Sequence, residues 1–395
     1  MKILQINNHY NRVGGAEVVY LNTIELLRKK KHTVYSLARA AESHDLKKDI
    51  ELSIEYSNSV FNRFYSKSAV EVVSSLIKKS KPDIAHIHNI IGGVTFSILP
   101  ILKKNNIPIV ASIHDYRLLC PTCNFIDSEN NICEKCARGN YFYCAVKNCS
   151  KDGRVRSIFV SLESYLRDLI YPYSKYINRF IYVSKFARDK FVDINPALSK
   201  KSFVLHNFTS SFNRSSVKGE YFLYLGRLAQ EKGIATLLKS FSKNPSLKLK
   251  IAGEGPFRKF IEAQKTKNVE MTGYKSGAEL EELIYNSSFI VIPSEWYENN
   301  PMSVIESYSF GKPVIGSAIG GIPEIVINDK TGFTFEPGNF NQLSDLLKMC
   351  DCINQDKYNM LSEGSYNFAL ENFSAEVYYK SMMSIYDSTI NESRN

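Results

Sequence analysis

Short apolar runs rich in β-branched residues alternate along this chain with amphipathic segments, and they do so in two successive series. "KILQIN", "DIAHIH", "PIVASIH" and "FIYVS" form the first, with segments such as "GAEVVYLNTIELLRKKKH" between them. "YFLYLG", "LKLKIAG", "VEMTG", "FIVIPS" and "PVIGS" form the second. Strand-like runs alternating with helical segments predict, in each series, a parallel sheet covered by helices, with its ligand face at the carboxyl ends of the strands. The expected fold class is α/β, with two Rossmann-like doubly wound domains facing a cleft. A chain of 395 residues also exceeds one ordinary core. The Ser-, Asn- and Gly-rich stretch "LHNFTSSFNRSSVKGE" is the linker candidate, giving a first domain over 1–206, a second over 207–372 and a last helix over 373–395. Ser374 is the expected N-cap of that helix, which is taken to pack back on the first domain.

Hydrophobic residues at 44% and charged residues at 23% place the chain among soluble globular proteins. It opens without the apolar core of a signal peptide, and no stretch reaches about 18 uninterrupted apolar residues, so a cytoplasmic location is expected. The net charge of +10 is uneven: residues 1–206 carry 31 Lys/Arg against 18 Asp/Glu, and residues 207–395 carry 19 against 22. A basic first half favours an anionic lipid surface, nucleic acid or a polyanionic substrate, with a merely solvated surface as the plain alternative.

In "YLGRLAQEKG", Gly226 ends a strand and is followed by Arg227, Lys232 and Gly233. Two cations there suit a diphosphate, Arg as a bidentate donor and Lys as a point charge. In "WYENNPMSVIE", Asn300 is the expected N-cap and Pro301 the first residue of a helix ending at Gly311. Its free N–H groups, at Met302 and Ser303, would face a phosphate or a sugar hydroxyl. Glu298 precedes that helix and Glu306 lies within it. Two carboxylates so placed can act as acid and base, or each can accept two hydrogen bonds from a vicinal diol. A loop acid and a solvated helix acid are the alternative.

These stretches, with "GEGP" at 253–256, "MTGY" at 271–274 and "ENNPMSVIESYSFGKPVIGSAIGGIPEIV", resemble the nucleotide-sugar half of retaining GT-B glycosyltransferases of family 4. "GGAE", "PDIAHIHN" and "HDYRLLCP" resemble the acceptor half, so the likeness spans nearly the whole chain. It implies that Arg227 and Lys232 hold the donor diphosphate, Glu306 the ribose diol and Glu298 the transferred sugar near its C3 hydroxyl. Gly226, Gly253, Thr272, Gly273, Asn299, Asn300, Met302 and Ser303 would line the donor pocket, Gly14 and Gly15 would approach the phosphates, and His114 would contact the donor sugar. His86 and His88 read as structural. Many relatives have E-G-F-G where this chain has Glu298, Asn299, Asn300 and Pro301, and Pro301 has no N–H to offer the sugar. The implied reaction transfers a hexose-type sugar, from a UDP- or GDP-type donor to a glycan or lipid-linked acceptor of cell-surface polysaccharide, with retention and without a catalytic metal.

Cys120, Cys123, Cys133, Cys136, Cys144 and Cys149 crowd into residues 120–149. Paired C-x2-C spacings suggest a structural zinc held by the first four, with Cys144 or Cys149 as substitute ligands and plain reduced thiols as the other reading. Such an insert would shape acceptor choice. The basic, aromatic stretch "RVRSIFVSLESYLRDLIYPYSKYINRFIYVSKFARDKF" suits an anionic inner leaflet or ordinary packing. Two other functions compete: a nucleotide-sugar epimerase on this architecture, and a basic Cys-rich nucleic-acid-binding protein, which leaves the second domain's motifs unexplained.

Overall fold

The computed structural model describes residues 1–11, 14–39, 51–54 and 61–394. They divide into two compact units, Met1–Leu205 with Tyr378–Asn395, and His206–Val377.

The first unit holds a seven-stranded parallel sheet. Its strands are β1 (Lys2–His9), β2 (Thr33–Arg39), β3 (Glu51–Ile54), β4 (Ile84–Ile87), β5 (Ile109–Ile113), β6 (Arg179–Tyr182) and β7 (Ser202–Val204). They lie in the order β3-β2-β1-β4-β5-β6-β7. Chain direction across the sheet reverses between β1 and β4, and loops leaving those two strands part to opposite sides. That separation is the topological switch point, where doubly wound sheets open a crevice for ligands. The chain leaving β1 enters a helix over Gly15–Lys29 with Gly14 at its N-cap. The final helix, Ala375–Arg394, belongs to this unit from Tyr378 onward, and its Tyr378, Met382 and Tyr386 are buried.

The second unit holds a six-stranded parallel sheet of β8 (Phe222–Leu225), β9 (Leu249–Ala252), β10 (Val269–Gly273), β11 (Ile290–Ile292), β12 (Val314–Ser317) and β13 (Gly332–Phe335), in the order β10-β9-β8-β11-β12-β13. Its switch point lies between β8 and β11. Phe222 and Tyr224 of β8 join one hydrophobic cluster with Val291 and Ile315, whereas Leu223 and Leu225 join another with Ile290, Ile292 and Val314. Two cores, one on each face, explain why these strands carry no polar alternation.

Four strands, β2, β3, β7 and β13, stand outside the runs read from the sequence. The helix after β11 also starts later than the Asn-Pro signal indicates. It spans Met302–Ser309, and Pro301 is its N-cap with ψ 122°. Asn300 is committed elsewhere: its Oδ1 accepts from Asn207 N at 2.8 Å, and its carbonyl accepts from Asn207 Nδ2 at 3.0 Å. Gly311, with φ 68°, follows the helix in the left-handed conformation that ends it. Ser374 separates the last two helices and pairs with Thr209 in an isolated bridge.

Candidate functional site

The expected donor residues of the second unit collect at the carboxyl ends of β8, β9, β10 and β11. Gly226 follows β8 and Gly253 follows β9, with φ of 149° and 153°. A Cβ on Gly253 would lie 1.9 Å from the Gly226 carbonyl oxygen, so the two loops touch backbone to backbone. Gly253 N donates to Gly273 O at 2.9 Å, and Thr272 Oγ1 donates to Ile251 O at 3.2 Å, which ties the end of β10 to the same rim.

Arg227 leaves β8 with its side chain about half exposed (53%) and forms an ion pair with the buried Glu231. Lys232 turns the other way. Its Nζ donates to Glu298 Oε1 at 2.6 Å and stands 5.0 Å from the centre of the Trp296 ring. Ser294 Oγ at 2.7 Å and Trp296 Nε1 at 2.9 Å donate to the same carboxylate oxygen. Burial alone would raise the Glu298 carboxyl, but the Lys232 charge and these hydrogen bonds outweigh it, and the group stays ionised below the usual carboxylate range. The Glu298 turn is itself packed against glycine: a Cβ on Gly320 would fall 2.3 Å from the Glu298 carbonyl oxygen, which accepts from Gly321 N at 2.7 Å.

Glu306 behaves differently. It sits one turn into the helix that opens with Met302 and Ser303, and burial pushes its carboxyl up to about 7. Among the described residues, no side-chain donor is recorded on it. Two carboxylates on either side of one helix start thus differ in state, Glu298 paired with a protein cation and Glu306 raised by burial alone. Asn299 occupies the turn between Glu298 and Asn300.

The first unit presents a histidine relay at its own switch point. His114 follows β5, and its Nε2 lies 2.8 Å from His88 Nδ1, the two rings being stacked at 11°. His88 Nε2 lies 3.1 Å from Gln5 Oε1. An amide oxygen only accepts, so His88 carries its proton on Nε2 and His114 donates from Nε2. Gln5 is oriented in turn because its Nε2 donates to Tyr386 OH at 3.0 Å, while that hydroxyl lies 2.6 Å from His86 Nδ1. His86 Nε2 reaches Ser112 Oγ at 2.8 Å. Burial lowers all three rings, His86 to about 3, His114 to about 4 and His88 well below its ordinary value, so the relay is neutral at physiological pH. His88 fixes the tautomer of His114, and His86 sits behind it, bonded to Tyr386 and Ser112. Gly14 and Gly15 lie beyond the carboxyl end of β1, the neighbour of β4 in the sheet.

The sequence reading missed Glu231, Ser294 and Trp296 around the cation pair, and Gln5 and Tyr386 behind His114. Trp296 is the chain's single tryptophan, a signal that was available. Tyr386 is nearly 300 positions from His86 and gave none.

The cysteines read as zinc ligands lie near one another: Cys136 packs with Cys144 and Cys149, and Cys120 and Cys133 act on its thiol. Among the described residues, no group of three or more His, Cys, Asp or Glu could hold a metal ion, and all eight cysteines are free thiols. Cys120 Sγ is 3.3 Å from Thr122 Oγ1 and Cys136 Sγ points at the Tyr141 carbonyl oxygen, so each has a local partner. Cys123 and Cys133 are half-buried.

Two doubly wound units, the second with paired cations and acids at its switch point, define the GT-B glycosyltransferase class. Family models match in two consecutive parts: Glycosyltransferase Family 4 over residues 13–210, and Glycosyl transferases group 1 over residues 208–366. The chain belongs to glycosyltransferase family 4. An uncharacterized 42.6 kDa protein in the cps region of Klebsiella pneumoniae is 25% identical, covering 82% of this chain and 87% of that protein. An uncharacterized glycosyltransferase of Methanocaldococcus jannaschii is 23% identical over 90% of both chains. Among solved structures, Anabaena HepE in complex with UDP superposes with a TM-score of 0.72 at 16% identity, covering 98% of this chain and 100% of the other.

Proposed function

We propose that this glycosyltransferase moves a hexose-type sugar from a UDP- or GDP-type donor to a glycan or lipid-linked acceptor of cell-surface polysaccharide, with retention of configuration. The observation that carries the reading is the arrangement at the second unit's switch point: Lys232 bonded to Glu298, Arg227 paired with Glu231 in the same loop, and Glu306 on a helix whose N-cap, Pro301, supplies no side-chain cap. Arg227, Lys232 and the amides of Met302 and Ser303 would hold the departing diphosphate, Glu298 a hydroxyl of the sugar and Glu306 the ribose diol. In the transfer, the bond from the anomeric carbon to the phosphate oxygen breaks, the acceptor oxygen bonds to that carbon on the same face, and the acceptor's proton passes to the departing phosphate. No enzyme-bound sugar intermediate is needed. A relative in a capsule region and a neighbour solved with UDP and with UDP-glucose support the polysaccharide setting and a UDP-type donor.

The reading includes peripheral association with an anionic membrane face. No helix of the described residues is long and apolar enough to cross a membrane. The helix Arg154–Ile170, however, exposes Val155, Ile158, Leu162, Leu166 and Leu169 at helical spacing, Val155 at 83% and Leu169 at 78%, beside Lys151, Arg154 and Arg156.

A thermal-shift panel of UDP, GDP, ADP and their sugar conjugates tests the donor site, with Glu306→Ala and Lys232→Ala beside the parent. One nucleotide family should stabilise the parent and neither variant. Stabilisation by none of them, or equal stabilisation of both variants, would overturn the assignment. Product anomeric configuration by NMR decides retention.

A further inference from the structure

Two cavities of the first unit share a wall. The larger, of about 280 Å3, lies at the carboxyl ends of β1, β4 and β5 and is lined in part by His88 and His114. The second, of about 230 Å3, runs beneath the Cys-rich insert along the helix Arg154–Ile170. Arg63, Ile91 and Arg117 line both.

The charges on that wall do not balance. The second cavity is lined by five cations against two acids. Arg167 is spent on the protein: its Nε donates to Asp168 Oδ1 at 2.8 Å, its Nη1 to Arg117 O at 3.0 Å and its Nη2 to Leu118 O at 3.3 Å. Arg63 and Arg117 are spent only in part: Arg117 meets the Cys123 side chain and the Asp115 carboxylate, and Arg63 faces Glu163. Among the described residues, the Nε of each arginine is buried without a hydrogen-bond partner. Among the described residues, the carboxylate oxygens paired with them, Glu163 Oε2 for Arg63 and Asp115 Oδ2 for Arg117, are each 3.9 Å away, beyond hydrogen-bond reach. Glu163 Oε1 is likewise unpartnered, and burial holds this carboxyl above its usual range although four arginines surround it. Buried guanidinium N–H groups without an acceptor are rare in folded proteins, so the protein's own acceptors do not satisfy these two side chains in full. Gly92 leaves room for the Arg63 side chain, since with φ 77° a side chain there would press on Arg63 Nη2 at 3.2 Å.

We propose that Arg63 and Arg117 form a phosphate subsite for the acceptor, holding its phosphate at the shared wall while the rest of the acceptor occupies the larger cavity beside His114. The proposal rests on reading this unit as the acceptor half of a glycosyltransferase. Guanidinium forks match phosphate oxygens in bidentate fashion, and two forks on one wall suit a diphosphate. The phosphate could belong to a lipid carrier or to a water-soluble phosphorylated glycan. The helix that lines the second cavity with Arg156 and Glu163 exposes Leu162, Leu166 and Leu169, which favours the lipid.

Isothermal titration of the full chain with inorganic pyrophosphate and with geranyl diphosphate tests this, using Lys232→Ala throughout to remove the donor diphosphate contact. Arg63→Gln and Arg117→Gln should each weaken pyrophosphate binding at least tenfold, with Arg63→Lys recovering part of the loss. Unchanged affinity in both Gln variants overturns the subsite. Geranyl diphosphate binding at least tenfold tighter than pyrophosphate identifies a lipid carrier, and equal binding a soluble phosphorylated acceptor. Nucleotide-induced stabilisation, measured with Lys232 intact, should survive in Arg63→Gln and Arg117→Gln. That shows they are folded and separates failure of the subsite from failure of the glycosyltransferase reading, which would remove the nucleotide effect from the parent itself.

Discussion

In the proposed ribose site, Glu306 would couple burial to ligand affinity through a single side chain. Its carboxyl, pushed up to about 7, keeps its proton where the unfolded chain has already lost one. Stability of the ligand-free protein therefore falls from about pH 4.5 to 7 on account of this group, because the unfolded state releases its proton first. A ribose diol donating two hydrogen bonds reverses the sign by stabilising the ionised form. Affinity for a nucleotide sugar, whose diphosphate does not itself titrate in this range, should rise up to tenfold per pH unit toward pH 7 and then level off. Glu306→Gln should bind about 10- to 100-fold more weakly, as expected for charged hydrogen bonds of about 1.5–3 kcal/mol, and without pH dependence. Calorimetry in buffers of different ionisation enthalpy would read the released proton; a flat profile for the parent would remove Glu306 from the ribose site. Glu298 should contribute nothing to this profile, since Lys232, Ser294 and Trp296 already keep it ionised.

Among the elements, the loops after β8 and β9 set the rim of the donor site by touching through glycine backbone. Replacing Gly253 by Ala would put a methyl 1.9 Å from the Gly226 carbonyl oxygen, at a φ of 153° that side chains avoid. Overpacking and backbone strain together should destabilise the second unit by roughly 3 kcal/mol, a fall of about 6–12 °C in Tm for a unit of this size. Gly338 provides the control: its φ is 76°, but a Cβ there meets nothing within 4 Å. Gly338→Ala should cost about 1 kcal/mol, from conformation alone. Equal losses in the two variants would show that the close approach of the loops is not what fixes the rim.

At the scale of the whole molecule, the basic first half and the exposed apolar face of the helix Arg154–Ile170 make a joint prediction. Sedimentation with vesicles containing phosphatidylglycerol should carry the protein down at low salt, weaken as salt rises, and fail with phosphatidylcholine alone. Leu162→Asp with Leu169→Asp should abolish binding without lowering Tm, because both residues are already exposed. Equal binding to neutral vesicles would assign the helix face to something other than an anionic surface.

Much of this protein was legible in the sequence because it depends on local order along the chain. Apolar runs of strand length marked nine of the strands, and the glycines after β8 and β9 marked their loops. Arg227, Lys232, Glu298 and Glu306 could be read as a group because all four sit in loops or first turns directly after strands that had to be parallel. The strands that escaped had weaker patterns: β2, "TVYSLAR", mixes polar residues into an apolar strand, and β7 is three residues long. Tertiary structure alone decided the rest. It drew Asn300 away from the helix to Asn207, and set Tyr386 behind Gln5 so that a hydroxyl from the last helix orients the amide that His88 meets. Spacing along a chain can indicate which face of an element a residue occupies, but a hydrogen bond between side chains hundreds of positions apart depends on distances and directions that only the packed core supplies.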